Sequence, residues 1–150
     1  MRIESHSARE TKLLGCLFGE ELRQFVFRQK KAVVIALIGT LGSGKTTFAQ
    51  GFAKGLRARG RIASPTFILA RTHHISNSHF SRFVHMDAYR LSSSRDLPPL
   101  GFRELLADSK TIVLVEWADR IGPALPRGTI FVRSAHLPSE YYRSFSFSLR

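Results

Sequence analysis

The spacing of apolar residues near the N-terminus predicts the first helix of the chain. Ser7 and Glu10 have the S-x-x-E spacing of a capping box, in which side chains bond to backbone N–H groups at the start of a helix. Apolar residues then recur at four-residue steps, at Leu14, Phe18 and Leu22. This pattern predicts a helix with one apolar face over about residues 8–25.

The next segment changes from a continuous apolar run to a helical pattern. Residues 32–38 are uncharged and rich in β-branched side chains, which is typical of a strand buried on both faces of a parallel sheet. After a glycine-rich stretch, apolar residues again recur every four positions, beside two alanines, and predict a second helix: Phe48, Phe52 and Leu56, with Ala49 and Ala53.

The C-terminal half continues the alternation of strands and helices. Apolar runs predict strands at 80–86, 111–115 and 129–133, with a short helix at 103–107. At 142–149, Phe and Leu alternate with serines, which is typical of a half-exposed antiparallel strand at a sheet edge. The predicted fold class is α/β, with a mainly parallel sheet flanked by helices and antiparallel edge strands near the C-terminus.

The composition is that of a single globular domain spanning residues 1–150. The chain is 43% hydrophobic and has one cysteine, Cys16, so no internal disulfide can form, which fits a reducing cytoplasm. Its longest apolar run, 32–38, is too short to span a bilayer, and no signal peptide is recognisable. We therefore expect a cytoplasmic protein that does not enter a membrane.

The formal net charge of +12 is concentrated in one part of the chain. No Asp or Glu occurs between Leu22 and Met86, a stretch that contains 11 Lys and Arg residues. Such a segment raises the local potential for polyanions, nucleotides first and RNA second. A solvated, solubilising surface explains the same composition, and both interpretations stay open.

A complete phosphate-binding motif lies between the apolar run and the second predicted helix. Residues 39–46 read G-T-L-G-S-G-K-T and match G-x-x-x-x-G-K-[ST]. The glycines let backbone N–H groups point at phosphate oxygens, and the positive end of the helix points at the same charge. Lys45 is expected to reach the β/γ-phosphates, and the Thr46 hydroxyl to ligate Mg²⁺. The order of strand, loop and helix disfavours a chance glycine-rich turn.

Two carboxylates follow neighbouring predicted strands. Asp87 comes directly after 80–86, and Glu116 directly after 111–115. A P-loop enzyme needs a carboxylate at the end of a neighbouring strand to hold Mg²⁺ opposite the motif hydroxyl. Each residue could instead cap a helix or form a surface ion pair, but at least one of them is expected at the metal.

A third segment, Ser64-Pro65-Thr66-Phe67, follows the second helix. Pro65 fixes its own φ and favours an extended Ser64, so the hydroxyls of Ser64 and Thr66 would be held at defined angles. Loops at this place in P-loop proteins often sense the γ-phosphate. An ordinary turn fits the residues equally well.

Absent motifs exclude two common classes of P-loop protein. The only asparagine is Asn77, so the chain has no N-K-x-D motif for reading guanine, and it has no L-S-G-G string of a transporter ATPase. A small-molecule or nucleoside kinase stays open, because its acceptor site has no universal sequence motif.

Taken together, these motifs resemble the bacterial tRNA threonylcarbamoyladenosine biosynthesis ATPase, the TsaE family. The resemblance rests on 39–47, S-P-T-F at 64–67, H-M-D-A-Y-R-L at 85–91 and E-W at 116–117, in that order and spacing. It implies a P-loop α/β fold with added antiparallel strands, and an ATP-hydrolysing subunit that acts with Mg²⁺. It also implies partnership with the TsaD and TsaB pair, which modifies adenosine 37 of tRNA, with any tRNA contact made through that complex.

The resemblance also implies roles for individual residues. Lys45, Asp87 and Glu116 would be catalytic, Thr46 and Glu116 would hold the metal, and Asp87 would also face the partner. The nucleotide would contact the P-loop, the switch segment and two aromatic residues: Thr40, Leu41, Gly42, Ser43, Gly44, Lys45, Thr46, Thr47, Ser64, Thr66, Trp117 and Tyr89. Thr40 departs from the aspartate usual in the family. A non-hydrolysing, nucleotide-dependent adaptor is a further alternative.

Overall fold

The computed structural model describes residues 1–25, 30–60, 69–76, 79–139 and 141–149. Within these ranges the chain forms one seven-stranded sheet with helices on both faces. The strands and α-helices, in chain order, are β1 Arg2–Ser5, α1 Ala8–Gln24, β2 Val33–Ile38, α2 Lys45–Gly55, β3 Ala70–His74, β4 Arg82–Asp87, α3 Phe102–Ala107, β5 Thr111–Glu116, β6 Ile130–His136 and β7 Arg143–Leu149. No helix in the described ranges is long and apolar enough to cross a bilayer.

The sheet has a parallel centre and antiparallel edges, as the sequence predicted. The strand order is β1-β7-β6-β2-β5-β4-β3. Strands β6, β2, β5 and β4 pair in parallel, whereas β1 and β7, β7 and β6, and β4 and β3 pair antiparallel. The predicted C-terminal strand therefore lies one place in from the edge, because β1, which the sequence did not reveal, covers it.

The first predicted helix is confirmed at both ends. Helix α1 begins after Ser7, whose hydroxyl accepts a hydrogen bond from the backbone N–H of Glu10 at 3.1 Å. The Glu10 carboxylate in turn accepts from the backbone N–H of His6 at 2.7 Å, one residue earlier than in a capping box. The helix therefore starts with its N-terminal N–H groups partly satisfied by local side chains.

The two faces of the sheet are covered by different helices. Helices α1 and α2 pack on one face, where Phe48, Phe52 and Leu56 are fully buried, so the predicted apolar stripe of α2 is confirmed. Helix α3 and the 3₁₀ segment Ala118–Ala124 cover the opposite face. Because both faces are covered, the central strands β2 and β5 are buried almost throughout, as their continuous apolar sequence predicted.

Helices α1 and α2 approach each other at glycines. A Cβ atom at Gly15 of α1 would overlap the carbonyl oxygen of Phe48, and one at Gly51 of α2 would overlap the carbonyl oxygen of Lys12. Gly19 and Gly55 extend the same contact along the two helices. This close backbone contact holds α2, and with it the loop before α2, against the N-terminal helix.

Candidate nucleotide-binding site

The predicted phosphate-binding loop joins the end of β2 to the start of α2. Gly42 and Gly44 have φ of 75° and 92°, in the left-handed region that side chains rarely adopt. Gly44 is the N-cap of α2 and offers no side-chain hydrogen bond to the helix. The first N–H groups of α2 are therefore available for an anion, which the helix dipole also favours.

The β6–β7 hairpin braces this loop from the side of the sheet. The hydroxyls of Ser134 and Ser43 lie 2.7 Å apart, and Ser134 Oγ also donates to a backbone carbonyl at the end of β2. His136 Nε2 lies 3.0 Å from the carbonyl oxygen of Leu41, and Arg143 Nε donates to the carbonyl oxygen of Gly42 at 2.9 Å. Side chains of the hairpin therefore fix the positions of the Leu41 and Gly42 carbonyl groups.

Backbone carbonyl groups of the P-loop hold the Lys45 side chain against that loop. Its Nζ donates to the carbonyl oxygens of Gly39 at 2.7 Å and Thr40 at 2.8 Å, and it lies 3.8 Å from the centre of the Trp117 ring. Burial lowers the pKa of the Lys45 ammonium from its usual value. Three nearby carboxylates act on that pKa in the opposite direction: Glu116, Asp119 and Asp87.

Glu116 is almost fully buried and is bonded through both carboxylate oxygens. Its Oε2 accepts a hydrogen bond from the Thr46 hydroxyl at 2.7 Å, and its Oε1 lies 2.8 Å from His85 Nε2. A carboxylate can only accept, so His85 donates from Nε2, and its Nδ1 is buried without a partner among the described residues. The last residue of β5 is therefore joined to the P-loop and to β4.

Asp87 ends β4 directly beside the end of β5. It pairs in the parallel register with Glu116, which places the two backbones about 4.8 Å apart. Its Oδ1 accepts a hydrogen bond from the backbone N–H of Tyr89 at 2.9 Å, and the residue is 4% exposed. The turn after β4 thus fixes the Asp87 carboxylate next to Glu116.

Trp117 follows Glu116 in an unusual backbone conformation. Its φ of 56° lies in the left-handed region, which is rare for a large side chain and costs conformational energy. The ring packs against Tyr89, with the ring centres 5.0 Å apart, and against the Lys45 ammonium. This conformation turns the indole from the end of β5 toward the P-loop.

These elements enclose a cavity of about 340 Å³ at the carboxyl ends of the parallel strands. This is where ligands bind in open α/β sheets. Its walls are Leu41, Gly42, Gly44, Lys45, Thr46, Thr47, Asp87, Tyr89, Glu116 and Trp117.

The remaining predicted site residues lie elsewhere. Thr40 is exposed and contributes its carbonyl oxygen to Lys45, and the Ser43 side chain is buried against Ser134. Ser64 and Thr66 lie outside the described residues. Neither Thr40 nor Ser43 lines the cavity, and because the Ser43 side chain is buried, its predicted contact with a nucleotide would have to use backbone atoms.

The donor set fits a magnesium ion. The Thr46 hydroxyl and the Glu116 carboxylate are hard oxygen ligands, and they lie in contact at the edge of the cavity. In the part of the chain that the structure describes, no three His, Cys, Asp or Glu side chains converge. Mg²⁺ usually uses one or two protein ligands and completes its shell with substrate phosphates and water, so a site of this kind is sufficient.

The sequence interpretation assigned no role to four residues of the site. His85 was part of the motif at 85–91, and its contact with the site could have been predicted, because it alternates with Asp87 in β4 and so must lie on the same face of the sheet. Ser134, His136 and Arg143 gave no local signal. They contact the loop only because β6 pairs with β2, and this long-range pairing cannot be predicted from the local sequence.

Comparison with known proteins identifies the family. A family model described as threonylcarbamoyl adenosine biosynthesis protein TsaE matches residues 5–144. The chain belongs to this family. The resemblance stated from the sequence motifs is therefore confirmed, and the chain is assigned to the family's role in tRNA threonylcarbamoyladenosine biosynthesis.

Individual members of the TsaE family match over most of their length. A protein named tRNA threonylcarbamoyladenosine biosynthesis protein TsaE from Treponema pallidum is 34% identical over 132 residues, covering 88% of this chain and 89% of the relative. One from Haemophilus influenzae is 31% identical over 117 residues, covering 77% and 72%. The crystal structure of Bacillus subtilis YdiB matches with a TM-score of 0.74 at 26% identity, covering 99% of this chain and 84% of that one.

Proposed function

We propose that this chain binds Mg-ATP at the P-loop cavity and hydrolyses it to support formation of threonylcarbamoyladenosine at position 37 of tRNA. It would do so in the cytoplasm, together with TsaD and TsaB family proteins. The observation that carries the proposal is the contact between the Thr46 hydroxyl and the buried Glu116 carboxylate, beside the Lys45 ammonium and in one cavity. That arrangement supplies a metal site and a phosphate site next to each other.

Binding would use groups that the structure already holds in place. The N–H groups at the start of α2 would donate hydrogen bonds to phosphate oxygens. Lys45 Nζ, which now donates to two backbone carbonyl oxygens, would donate to the β- and γ-phosphates instead. Thr46 and Glu116 would hold Mg²⁺ in place of the hydrogen bond between them. The ion, when bound, neutralises charge that develops on the phosphates.

Hydrolysis requires a water molecule to be oriented at the γ-phosphate. Asp87 is suited to this role, because its carboxylate is fixed by the Tyr89 N–H group beside Glu116 and lines the cavity. Lys45 and Trp117 contact each other and both line the cavity beside Asp87. Ser64 and Thr66, whose hydroxyls were predicted to sense the γ-phosphate, keep that proposed role.

The mouth of the cavity is suited to a protein partner. Leu41 at the tip of the P-loop is 80% exposed, and Tyr89 on the opposite wall is 46% exposed. Exposed apolar side chains that flank a functional cleft are typical of interaction surfaces. This supports the proposal that TsaD and TsaB family proteins dock over the bound nucleotide, and that hydrolysis is slow without them.

The proposal is tested by reconstitution. The chain should copurify with TsaD and TsaB family proteins more strongly with ATP than without it, and the assembly should release phosphate and form the modified nucleoside in tRNA. ATP-dependent association without phosphate release would identify a non-hydrolysing adaptor instead. A phosphorylated acceptor in place of free phosphate would identify a kinase.

Substitution of Lys45 tests whether the P-loop is the nucleotide-binding site. Lys45→Ala should stay folded but lose several kcal/mol of nucleotide binding, because charge-assisted contacts in a partly buried site are strong. Lys54→Ala, an exposed lysine at the far end of the same helix, is the matched control. Calorimetric titration with Mg-ATP compares the two, and unchanged affinity in Lys45→Ala would remove this loop as the nucleotide site.

A further inference from the structure

A second and larger cavity lies at the opposite end of the sheet from the P-loop. We call it the basal groove; it has a volume of about 520 Å³ and is lined by Lys30, Lys31, Ala32, Val34, Arg103, Leu106, Ala107, Pro126, Arg127 and Gly128. It opens where β2 begins, whereas the P-loop follows the end of β2. Since β2 has six residues, the two sites are about 20 Å apart. The basal groove is therefore separate from the nucleotide site.

The floor of the basal groove is apolar and is held by backbone hydrogen bonds. The N–H group of Ala32 donates to the carbonyl oxygen of Leu106 at 3.0 Å, which ties the start of β2 to α3. On the other wall, the Thr129 hydroxyl and N–H group both donate to the carbonyl oxygen of Pro126, at 2.7 and 3.3 Å. Both walls are therefore fixed before any ligand arrives.

The rim of the basal groove carries only positive charge. Among the described residues that line the groove there is no Asp or Glu, and four exposed side chains are cationic: Lys30, Lys31, Arg103 and Arg127. Among the described residues, none of these four side chains has an ion pair or a hydrogen bond. Asp108, the acid just beyond α3, is engaged by Arg82 at 2.7 Å and by Thr111 at 2.7 Å. The rim charges are thus left for an external anion.

We propose that the basal groove binds an acidic segment of a partner protein. Carboxylates of that segment would pair with the four rim cations, and an apolar side chain between them would rest on the more exposed apolar residues of the groove, Leu106, Ala107 and Pro126. Electrostatic complementarity of this kind steers association and selects the partner, and the fixed floor adds burial of apolar surface.

A protein segment fits the basal groove better than RNA does. Single-stranded RNA is recognised by stacking of its bases on aromatic side chains, and none of the described residues that line the groove is aromatic. A phosphate backbone would also leave the apolar floor uncovered. The site does not depend on the proposed ATPase activity, since the described residues that line it are all different from those that line the nucleotide cavity.

The experiment uses the full chain and a labelled probe peptide. The probe is a short fluorescein-labelled peptide of Glu, Leu and Gly, compared with one in which every Glu is replaced by Gln and with an oligouridine of equal charge. Binding is followed by fluorescence anisotropy at low and physiological salt. The Glu peptide should bind more tightly than both others, and its affinity should fall as salt rises.

Charge reversal of the rim is the decisive variant. Lys31→Glu, Arg103→Glu and Arg127→Glu combined should lower the affinity for the Glu peptide by about tenfold or more, because each attractive charge pair becomes a repulsive one. The matched control has the same change in net charge at exposed cations elsewhere: Arg9→Glu, Lys54→Glu and Arg95→Glu. Ala107→Trp, which fills the groove without changing charge, should also weaken the peptide.

Three outcomes would overturn the proposal. If the rim variant and the control lost the same affinity for the Glu peptide, net charge alone would explain the loss. If the Gln peptide bound as tightly as the Glu peptide, carboxylates would have no role in binding. Tighter binding of oligouridine that the rim variant abolishes would make the groove an RNA site. Mg-ATP titration of the same variants should show unchanged affinity, so failure here is distinguishable from failure of the proposed ATPase function.

Discussion

At the scale of single residues, Glu116 links the two halves of the site. One carboxylate oxygen accepts the Thr46 hydroxyl from the P-loop, and the other accepts His85 Nε2 from β4. Asp87 lies beside it in the register but is fixed by a backbone N–H group in the turn after β4. The two carboxylates therefore have different surroundings, and we expect substitutions of them to have different consequences.

Loss of each carboxylate should change a different property. Glu116→Ala should weaken the Mg²⁺ dependence of nucleotide binding, because it removes the carboxylate that we propose as a metal ligand beside Thr46. Asp87→Ala should spare ADP binding and lower hydrolysis or turnover, because it removes the carboxylate that we propose to act at the γ-phosphate. Calorimetric titrations at several Mg²⁺ concentrations, combined with phosphate-release assays, compare the two variants. If the two phenotypes were exchanged, the roles assigned to these residues would be exchanged as well.

His85 should act by positioning Glu116. His85→Phe removes the donor and leaves a buried carboxylate oxygen without a partner, at a cost of about 1–3 kcal/mol. His85→Gln keeps an N–H donor and should retain most activity. We expect His85→Phe to require more Mg²⁺ for half-maximal hydrolysis, with thermal unfolding measured on both variants to separate a loss of stability. An unchanged Mg²⁺ requirement in a folded His85→Phe protein would show that Glu116 needs no support from β4.

The positions of the candidate site's charged and hydroxyl groups were largely predictable from the sequence, whereas the contacts that support the P-loop were not. Lys45 and Thr46 belong to a motif whose spacing fixes its conformation, and Asp87 and Glu116 end strands whose carboxyl ends must meet. The bracing of the loop by Arg143 and its neighbours depends on which strands pair, and no local pattern encodes that.

At the scale of elements, buried segments were predicted well and polar edge strands were missed. Strands β2 and β5 are continuous apolar runs because helices cover both of their faces. Strand β1 has the sequence R-I-E-S and β3 has A-R-T-H-H, and neither shows clear alternation. These two strands lie at the sheet edges, where backbone pairing with one neighbouring strand holds them in the sheet and no regular hydrophobic pattern is required.

The contact between α1 and α2 makes a prediction about stability. Gly51→Ala places a methyl group into the Lys12 carbonyl oxygen, so the helices must separate, at a cost of about 1–3 kcal/mol or more. Gly122→Ala is the control, because nothing lies within 4 Å of the added methyl group and φ is not positive. Thermal unfolding should show a melting temperature lower by several degrees for Gly51→Ala, at about 2–4 °C per kcal/mol for a chain of this size. Equal melting temperatures for the two variants would contradict the close packing.

At the scale of the whole molecule, positive charge lies far from the nucleotide site as well as near it. Arg57 and Arg59 are exposed just after the C-terminal end of α2, whereas the P-loop lies at its N-terminal end. An eleven-residue helix separates the two ends by about 16 Å. Arg59 donates to the Ser76 hydroxyl at 3.1 Å, which holds one of these guanidinium groups at the surface. The distance allows this cluster to be tested without disturbing Lys45.

Charge reversal of this cluster tests whether it contacts tRNA in the assembly with partner proteins. Arg57→Glu, Arg59→Glu and Arg61→Glu combined should weaken tRNA association and flatten its dependence on salt, because fewer counterions are released when fewer phosphates are contacted. Arg61 lies outside the described residues and is included because it follows the other two in the sequence. ATP affinity should change little, since the P-loop stays intact. Fluorescence anisotropy of labelled tRNA with the reconstituted assembly at several salt concentrations measures both the affinity and the salt slope. The control reverses three exposed cations elsewhere, Arg9, Lys12 and Arg95. An identical affinity and slope for wild type and the cluster variant would leave these arginines as solubilising charge, whereas a loss confined to the cluster variant would assign them to the tRNA phosphates.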